Sequence, residues 1–361
     1  MTTAMESCPE GLPNAGWTRR DWLLGAAAGV VGASAGCFSR SEPPRRNLVV
    51  YAALDEEFSK PILQEFERRT GIKVDAKYDV ESTKSVGLAT SIMLEAGPGR
   101  TRCDVFWNNE ILNTLRLREK GLLLPISPPN AAAYPAVFRA ADGAWHGFAA
   151  RARIILANSS KVAPTLYPAG IEDLLNPRWK GKIGIAKPLF GTTATHAACL
   201  FAAWGETRAQ EYYRKLRDNG VKIFSGNKQV ATAVASGEIE LGLTDTDDAI
   251  GQILEGQPVA IVYPDRAAGQ LGTLFIPNTL AVIKDAPHRA DAETLVDFLL
   301  GPEVEQTLAD GPSAQIPLNP AVKRSGRVET PATIQAMNAD FEAAAKLWDP
   351  VAAFLAEEFA R

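Results

Sequence analysis

Two apolar runs constrain the fold of this chain more than any other feature: "GFAARARIILAN" at residues 147–158 and "LFIPNTLAVIK" at 274–284. Strands of globular proteins usually span about five or six residues, so each run is too long for the sheet of a single lobe. A strand that outruns one sheet must continue into another. Placed at two separate points of the chain, such strands take the backbone from a first lobe into a second and back again. Neither lobe is then a contiguous segment.

The segments between the crossings alternate in type. "NLVVYAAL" (47–54) is a continuous apolar run, the pattern of a strand buried on both faces. Phe58, Ile62, Leu63 and Phe66 then share a helical face, with Ser59 as the expected cap and Pro61 in the first turn. "GIKVDAKY" restarts a strand, a helix is expected over 82–96, and "CDVFWNN" (103–109) is the next strand. Beyond the first crossing, "GKIGIAKP", "GVKIFSG", "IELGLTD" and "PVAIVYP" are four more strands separated by helices. The expected fold is α/β with two lobes, each a mostly parallel sheet flanked by helices, and the two crossover strands form the hinge. Residues 47–150 with about 270–305 make the first lobe; 151–269 with about 306–361 make the second. Ile334, Met337, Phe341, Ala344, Leu347 and Trp348 recur at helical spacing and predict one or two helices packed over a lobe.

The first 36 residues are of another kind. Arg19 and Arg20 stand just before an apolar, small-residue run that reaches Gly36, the layout of a twin-arginine export signal. The run is too short to span a membrane comfortably. It ends in Ser34-Ala35-Gly36-Cys37, which resembles a lipobox with Ser34 where Leu, Val or Ile is usual, and so marks Cys37 for lipidation. Plain cleavage in the Ala-rich segment is the alternative. A polar, Pro-containing tether follows, completing a segment of 37–46. A periplasmic, membrane-anchored monomer is expected. The formal charge of −4 leaves no basic footprint for nucleic acid. Cys103 and Cys199 read as small core residues, with a bridge between them left open.

Ligands of open parallel sheets lie beyond the carboxyl ends of the strands. The residues there are Asp55 after the first strand, Asn109 and Glu110 after the third, then Gly191, Thr192, Thr193, Asn227 and the run Asp245 to Asp248. They are rich in oxygen ligands and poor in nucleophiles, which favours capture over chemistry. Gly191-Thr192-Thr193 opens a helix and is either a cap or an anion site. Asp245, Asp247 and Asp248 fall within four residues. Capping explains one or two of these carboxylates; the excess points to a hard cation or an ammonium group. Arg151 and Arg153 alternate with apolar residues, face the same side, and suit either an anion or those aspartates. His196 reads as a buried core histidine.

These residues carry a family resemblance. "VVYAALDEEFSKPILQEFERRTGIKV", "DVFWNNE", "GFAARARIILAN", "LLNPRWKGKIGIAKP", "GTTATH" and "GNKQVATAVASGEIELGL" occur in order and resemble the substrate-binding proteins of ABC importers, within them the ferric-iron-binding group. The resemblance implies the type II two-lobe fold of periplasmic binding proteins, hinge closure over a metal, and delivery to an ABC permease in the membrane. The iron binders use two adjacent tyrosines, often a histidine and a glutamate, and a synergistic anion. Here the tyrosine pair falls on Asp247 and Asp248, the histidine near Asp55, and the glutamate on Asn109 with Glu110 adjacent. The anion loop matches Gly191, Thr192 and Thr193, and its asparagine matches Asn227; Arg151 is a further anion candidate.

The expected ligand is therefore a metal ion, ferric or divalent, held by Asp55, Asn109, Glu110, Asp245, Asp247 and Asp248 with phosphate or carbonate completing the shell. A phosphonate, phosphorylated sugar or polyamine is the alternative, with an amine on the aspartates. A metal-dependent hydrolase is the remote one: no H-E-x-x-H, Walker loop or Cys-x-x-Cys occurs, and Gly32-Ala33-Ser34-Ala35-Gly36 spells a nucleophile elbow only inside the leader. No catalytic cofactor is expected.

Overall fold

A computed structural model describes residues 47–79, 86–323 and 326–359, and in it both long apolar runs are strands. The export signal, the tether and Cys37 lie outside the described residues. In chain order the strands are β1 Leu48–Ala52, β2 Val74–Tyr78, β3 Val105–Asn108, β4 Leu123–Leu124, β5 His146–Asn158, β6 Ile183–Ala186, β7 Lys222–Phe224, β8 Leu241–Asp245, β9 Val259–Val262 and β10 Phe275–Ile283. The helices are α1 Glu56–Thr70, α2 Val86–Glu95, α3 Leu112–Glu119, α4 Gly191–Trp204, α5 Glu206–Asp218, α6 Asn227–Ala235, α7 Thr246–Leu254, α8 Arg289–Leu299, α9 Pro302–Asp310, α10 Phe341–Lys346 and α11 Trp348–Phe359.

The strands run in the order β2-β1-β3-β10-β5-β8-β6-β7, with β4 beside β10 and β9 beside β5. In the first lobe β1 pairs in parallel with β2 and β3; in the second β6 pairs in parallel with β7 and β8. The crossover strands run against both groups: β10 is antiparallel to β3 and β5, and β5 is antiparallel to β8 and β9. Each sheet is therefore parallel only away from the hinge. β5 spends its first half on β10 and its second on β8 and β9, which explains its length of 13 residues. Alternate residues feed two cores. Tyr51, Phe106, Ile155 and Ala157 point into one and Val50, Val105, Trp107, Ile154 and Leu156 into the other, so the strands are covered on both faces and need apolar side chains throughout.

The bend in β5 has a local cause. Arg151 pairs with Ile276 and Phe148 with Asn278, so Ala149 and Ala150 together oppose Pro277. Proline has no amide to give the ladder, and the strand answers with a bulge. Ala149 takes the left-handed conformation, φ 43°, its amide donating to Glu305 Oε1 at 2.6 Å and its carbonyl accepting from Asn278 Nδ2. Ala150 pairs with Ile316 instead, 2.7 Å in each direction. Valine at Ala149 is expected to cost on the order of 3 kcal/mol in urea unfolding, because a branched side chain at this φ adds strain to overpacking, whereas glycine stays within about 1 kcal/mol of wild type. Equal midpoints for the valine and glycine variants would show that the bulge imposes no such constraint.

Two segments differ from expectation. α1 begins at Glu56, capped by Asp55, so Pro61 sits in its second turn; Ser59 is no cap but hydrogen-bonds Leu54 O at 3.1 Å and Asp55 O at 3.0 Å. Residues around Ile334 and Met337 are not helical, since Ala336 pairs with Thr273 as a parallel bridge. The helix starts only at Phe341, with Asp340 Oδ1 accepting from the Ala343 amide at 2.9 Å. α10 packs between α3 and α4, hence between the lobes, and α11 packs on α4 and α5. α9 packs on α8 and β5. Cys103 and Cys199 are both free and buried.

Candidate functional site

The carboxyl ends of β1, β3, β6, β7 and β8 all open toward the junction of the lobes. Asp55 caps α1 without a capping hydrogen bond from its side chain. Asn109 follows β3 directly, Gly191 and Thr192 open α4, Asn227 opens α6, and Asp247 and Asp248 form the first turn of α7 behind Asp245. Asp55, Asn109, Arg151, Gly191, Thr192, Asn227, Asp245, Asp247 and Asp248 line one cavity of about 30 Å³. A space that size admits a monatomic ion with a water or two. It sits beside a wider groove of about 300 Å³ that also touches Asp55, Asp247 and Asp248.

The charges are arranged in two pairs. Arg153, fully buried, places Nη1 2.7 Å from Asp245 Oδ1, 3.1 Å from Asn227 Oδ1 and 3.3 Å from Thr192 Oγ1. Asp245 Oδ2 accepts from Thr192 Oγ1 at 2.5 Å and from Asn227 Nδ2 at 3.0 Å, and Thr193 Oγ1 donates to Asn227 Oδ1 at 3.1 Å. Arg151 Nη1 lies 3.2 Å from Asp247 Oδ2, both side chains nearly buried. Burial opposes the charge of Arg151, but Asp247, Asp245, Asp55 and Asp248 outweigh it and hold the guanidinium above its ordinary pKa. Carboxylate oxygens of Asp245, Asp247 and Asp248 all lie within 4.8 Å of one another. Four carboxylates against two guanidinium groups leave the site with two surplus negative charges.

One neutral group points the same way. Asn109 is 2% exposed and its Oδ1 accepts no hydrogen bond. Leaving a buried amide oxygen unsatisfied costs about 1–3 kcal/mol, which a cation in the cavity would recover.

Three expected roles change. Glu110 is fully buried and turned from the cavity: it accepts from the Leu112 and Asn113 amides at 2.5 and 3.1 Å, from Asn108 Nδ2 at 2.9 Å, and from Thr195 Oγ1 of α4 at 2.7 Å. It caps α3 and ties one lobe to the other. Thr192 and Asn227, expected to hold an anion, serve Asp245, Thr193 bonds Asn227, and Arg151 takes the aspartate of its two expected partners, Asp247. Arg153 likewise takes the aspartate of its two expected partners, Asp245, a place signalled only by its spacing with Arg151. His196 is buried near Arg153, and burial, with that positive neighbour, pushes its pKa down to about 3, so it stays neutral in ordinary buffers.

Comparison with known proteins places the frame. The family described as bacterial extracellular solute-binding protein matches residues 114–343. The chain belongs to this family. Iron uptake protein A1 of Synechocystis is 27% identical over 310 residues, 80% of this chain and 82% of the relative. The major ferric iron-binding protein of Neisseria meningitidis is 26% identical over 306 residues, 84% of this chain and 90% of the relative. Iron-bound HitA from Pseudomonas aeruginosa shares the fold of this solute-binding protein with a TM-score of 0.77 at 22% identity, covering 86% of this chain and 99% of HitA. The type II architecture implied by the resemblance is thus the observed one. Among the described residues no helix is long and apolar enough to cross a membrane.

Proposed function

We propose that this solute-binding protein captures a hard metal cation between its lobes and delivers it to an ABC importer. The observation that carries the reading is that Asp55 and Asn109 of one lobe and Asp247 and Asp248 of the other face one small cavity with surplus negative charge. Carboxylates and an amide oxygen suit ferric iron and hard divalent ions alike. Iron is the first candidate because relatives are named for it. Phosphonates and phosphorylated sugars fit less well, because Thr192 and Asn227, which would take their anionic group, serve Asp245.

Release and capture follow from the hinge. A cation bound by both lobes favours the arrangement in which they meet, and moving a population from mostly open to mostly closed needs about 5 kcal/mol of differential binding. Residues 1–36 serve as a Tat signal, and a lipid on Cys37 anchors the exported protein beside its permease; mass spectrometry of the exported protein, compared with Cys37→Ser, tests the anchor.

Isothermal titration of metal-stripped protein with Fe3+, Mn2+, Ca2+ and Mg2+ is the direct test. At least one ion should give saturable heat and, at about a hundredfold over its Kd, stabilise the fold by about 2.7 kcal/mol. A strong chelator should reverse both effects. No heat and no thermal shift with any of the four ends the metal reading, and small-molecule binding that survives the chelator replaces it.

A further inference from the structure

We infer that the carboxylate of Asp245 is a built-in anion, seated in a receptor that would otherwise take a free one, so that metal capture needs no exogenous anion. The inference rests on the metal reading for its purpose and on the second lobe for its geometry. Three donors converge on this carboxylate: Arg153 Nη1 at 2.7 Å on Oδ1, and Thr192 Oγ1 at 2.5 Å and Asn227 Nδ2 at 3.0 Å on Oδ2, with the Arg153 guanidinium supplying the charge. Thr192 and Asn227 stand in the first turns of α4 and α6, neither of which has a side-chain N-cap, so two positive helix ends meet at the same point.

A guanidinium, a hydroxyl, an amide and two helix ends make a receptor for a small oxyanion. Asp245 has turned its side chain into it. Although Asp245 is the N-cap residue of α7, it makes no capping hydrogen bond there. Its other side faces the cation cavity, with oxygen atoms of Asp247 and Asp248 within 4.8 Å. A carboxylate so placed neutralises Arg153 and presents negative charge to the metal, the two duties of a bridging anion. A free anion arriving here meets a filled set of donors and a like charge. Being part of the chain, the carboxylate costs no second binding event, and capture becomes insensitive to the anion content of the surroundings.

The test removes the carboxylate and offers small anions in its place. Metal-free wild-type protein should show no rise in melting temperature with millimolar formate or bicarbonate, whereas Asp245→Ala, destabilised by the unpaired Arg153, should be stabilised by several degrees. With Mn2+ as the probe, wild-type affinity should change by less than about twofold on adding either anion; Asp245→Ala should lose about tenfold or more in anion-free buffer and regain most of it with formate. A purely structural role for Asp245 predicts no rescue. A tenfold rise in wild-type affinity with bicarbonate overturns the inference, as does stabilisation of the metal-free wild type by either anion; both measurements stand even where the variant fails to fold. If wild type binds none of Fe3+, Mn2+, Ca2+ and Mg2+ while the metal-free comparison behaves as described, the anion seat stands and the cargo reading falls.

Discussion

Asp247→Asn/Asp248→Asn should lower affinity for whichever cation the protein binds by at least about a thousandfold, on the order of 4 kcal/mol. The two side chains supply half of the carboxylates around the cavity and both of those in the first turn of α7. Desolvated charge contacts of this kind are about twice as strong as neutral ones, and an amide keeps the oxygen but not the charge. Asp248→Asn alone should be at least as stable as wild type when free of metal, because it removes one negative charge from a cluster in which carboxylates outnumber guanidinium groups two to one and leaves Arg151 its Asp247 partner. Titration calorimetry and metal-free melting curves check the two halves separately. Unchanged affinity would move the cargo site elsewhere; an Asp248→Asn variant that melts much lower would make that aspartate structural.

The second large effect concerns stability. Arg153→Met should cost about 3–5 kcal/mol, because it leaves Asp245 in the interior without its counter-ion. Arg153 is fully buried, and it also bonds Thr192, Asn227 and, at 3.4 Å, the carbonyl of Leu243. Replacing both partners, Arg153→Met with Asp245→Leu, should recover most of the loss, since an apolar pair carries no desolvation penalty, while abolishing the anion seat. Urea unfolding of the two single variants and the double variant reads the coupling. A loss below about 1 kcal/mol for Arg153→Met would mean that water reaches the pair and screens it.

Much of the fold was legible before the structure. The run at 147–158 and the run at 274–284 became β5 at 146–158 and β10 at 275–283, and the strand-end rule drew Asp55, Asn109, Gly191, Thr192, Asn227 and the aspartates to one place. Apolar periodicity reports burial, and burial on two faces leaves few alternatives to strand. It failed where pairing rather than burial decides: Met337 is buried as an extended neighbour of Thr273, not on a helix. Pro61 and Ser59 were misplaced because helix starts depend on one residue's backbone angles, which composition does not register.

By itself the sequence determined two lobes, their crossing strands, and an acidic, oxygen-rich set of residues at the strand ends, because these follow from hydrophobic pattern and chain order. Tertiary structure alone decided how the charges are shared out: Arg153 to Asp245, Arg151 to Asp247, Glu110 to the amides of α3 and to Thr195, and Asn109 to the cavity. Those assignments depend on distances of a few ångströms between residues up to 96 positions apart, and Coulomb energy and hydrogen bonding vary steeply over that range while the pattern of a sequence does not.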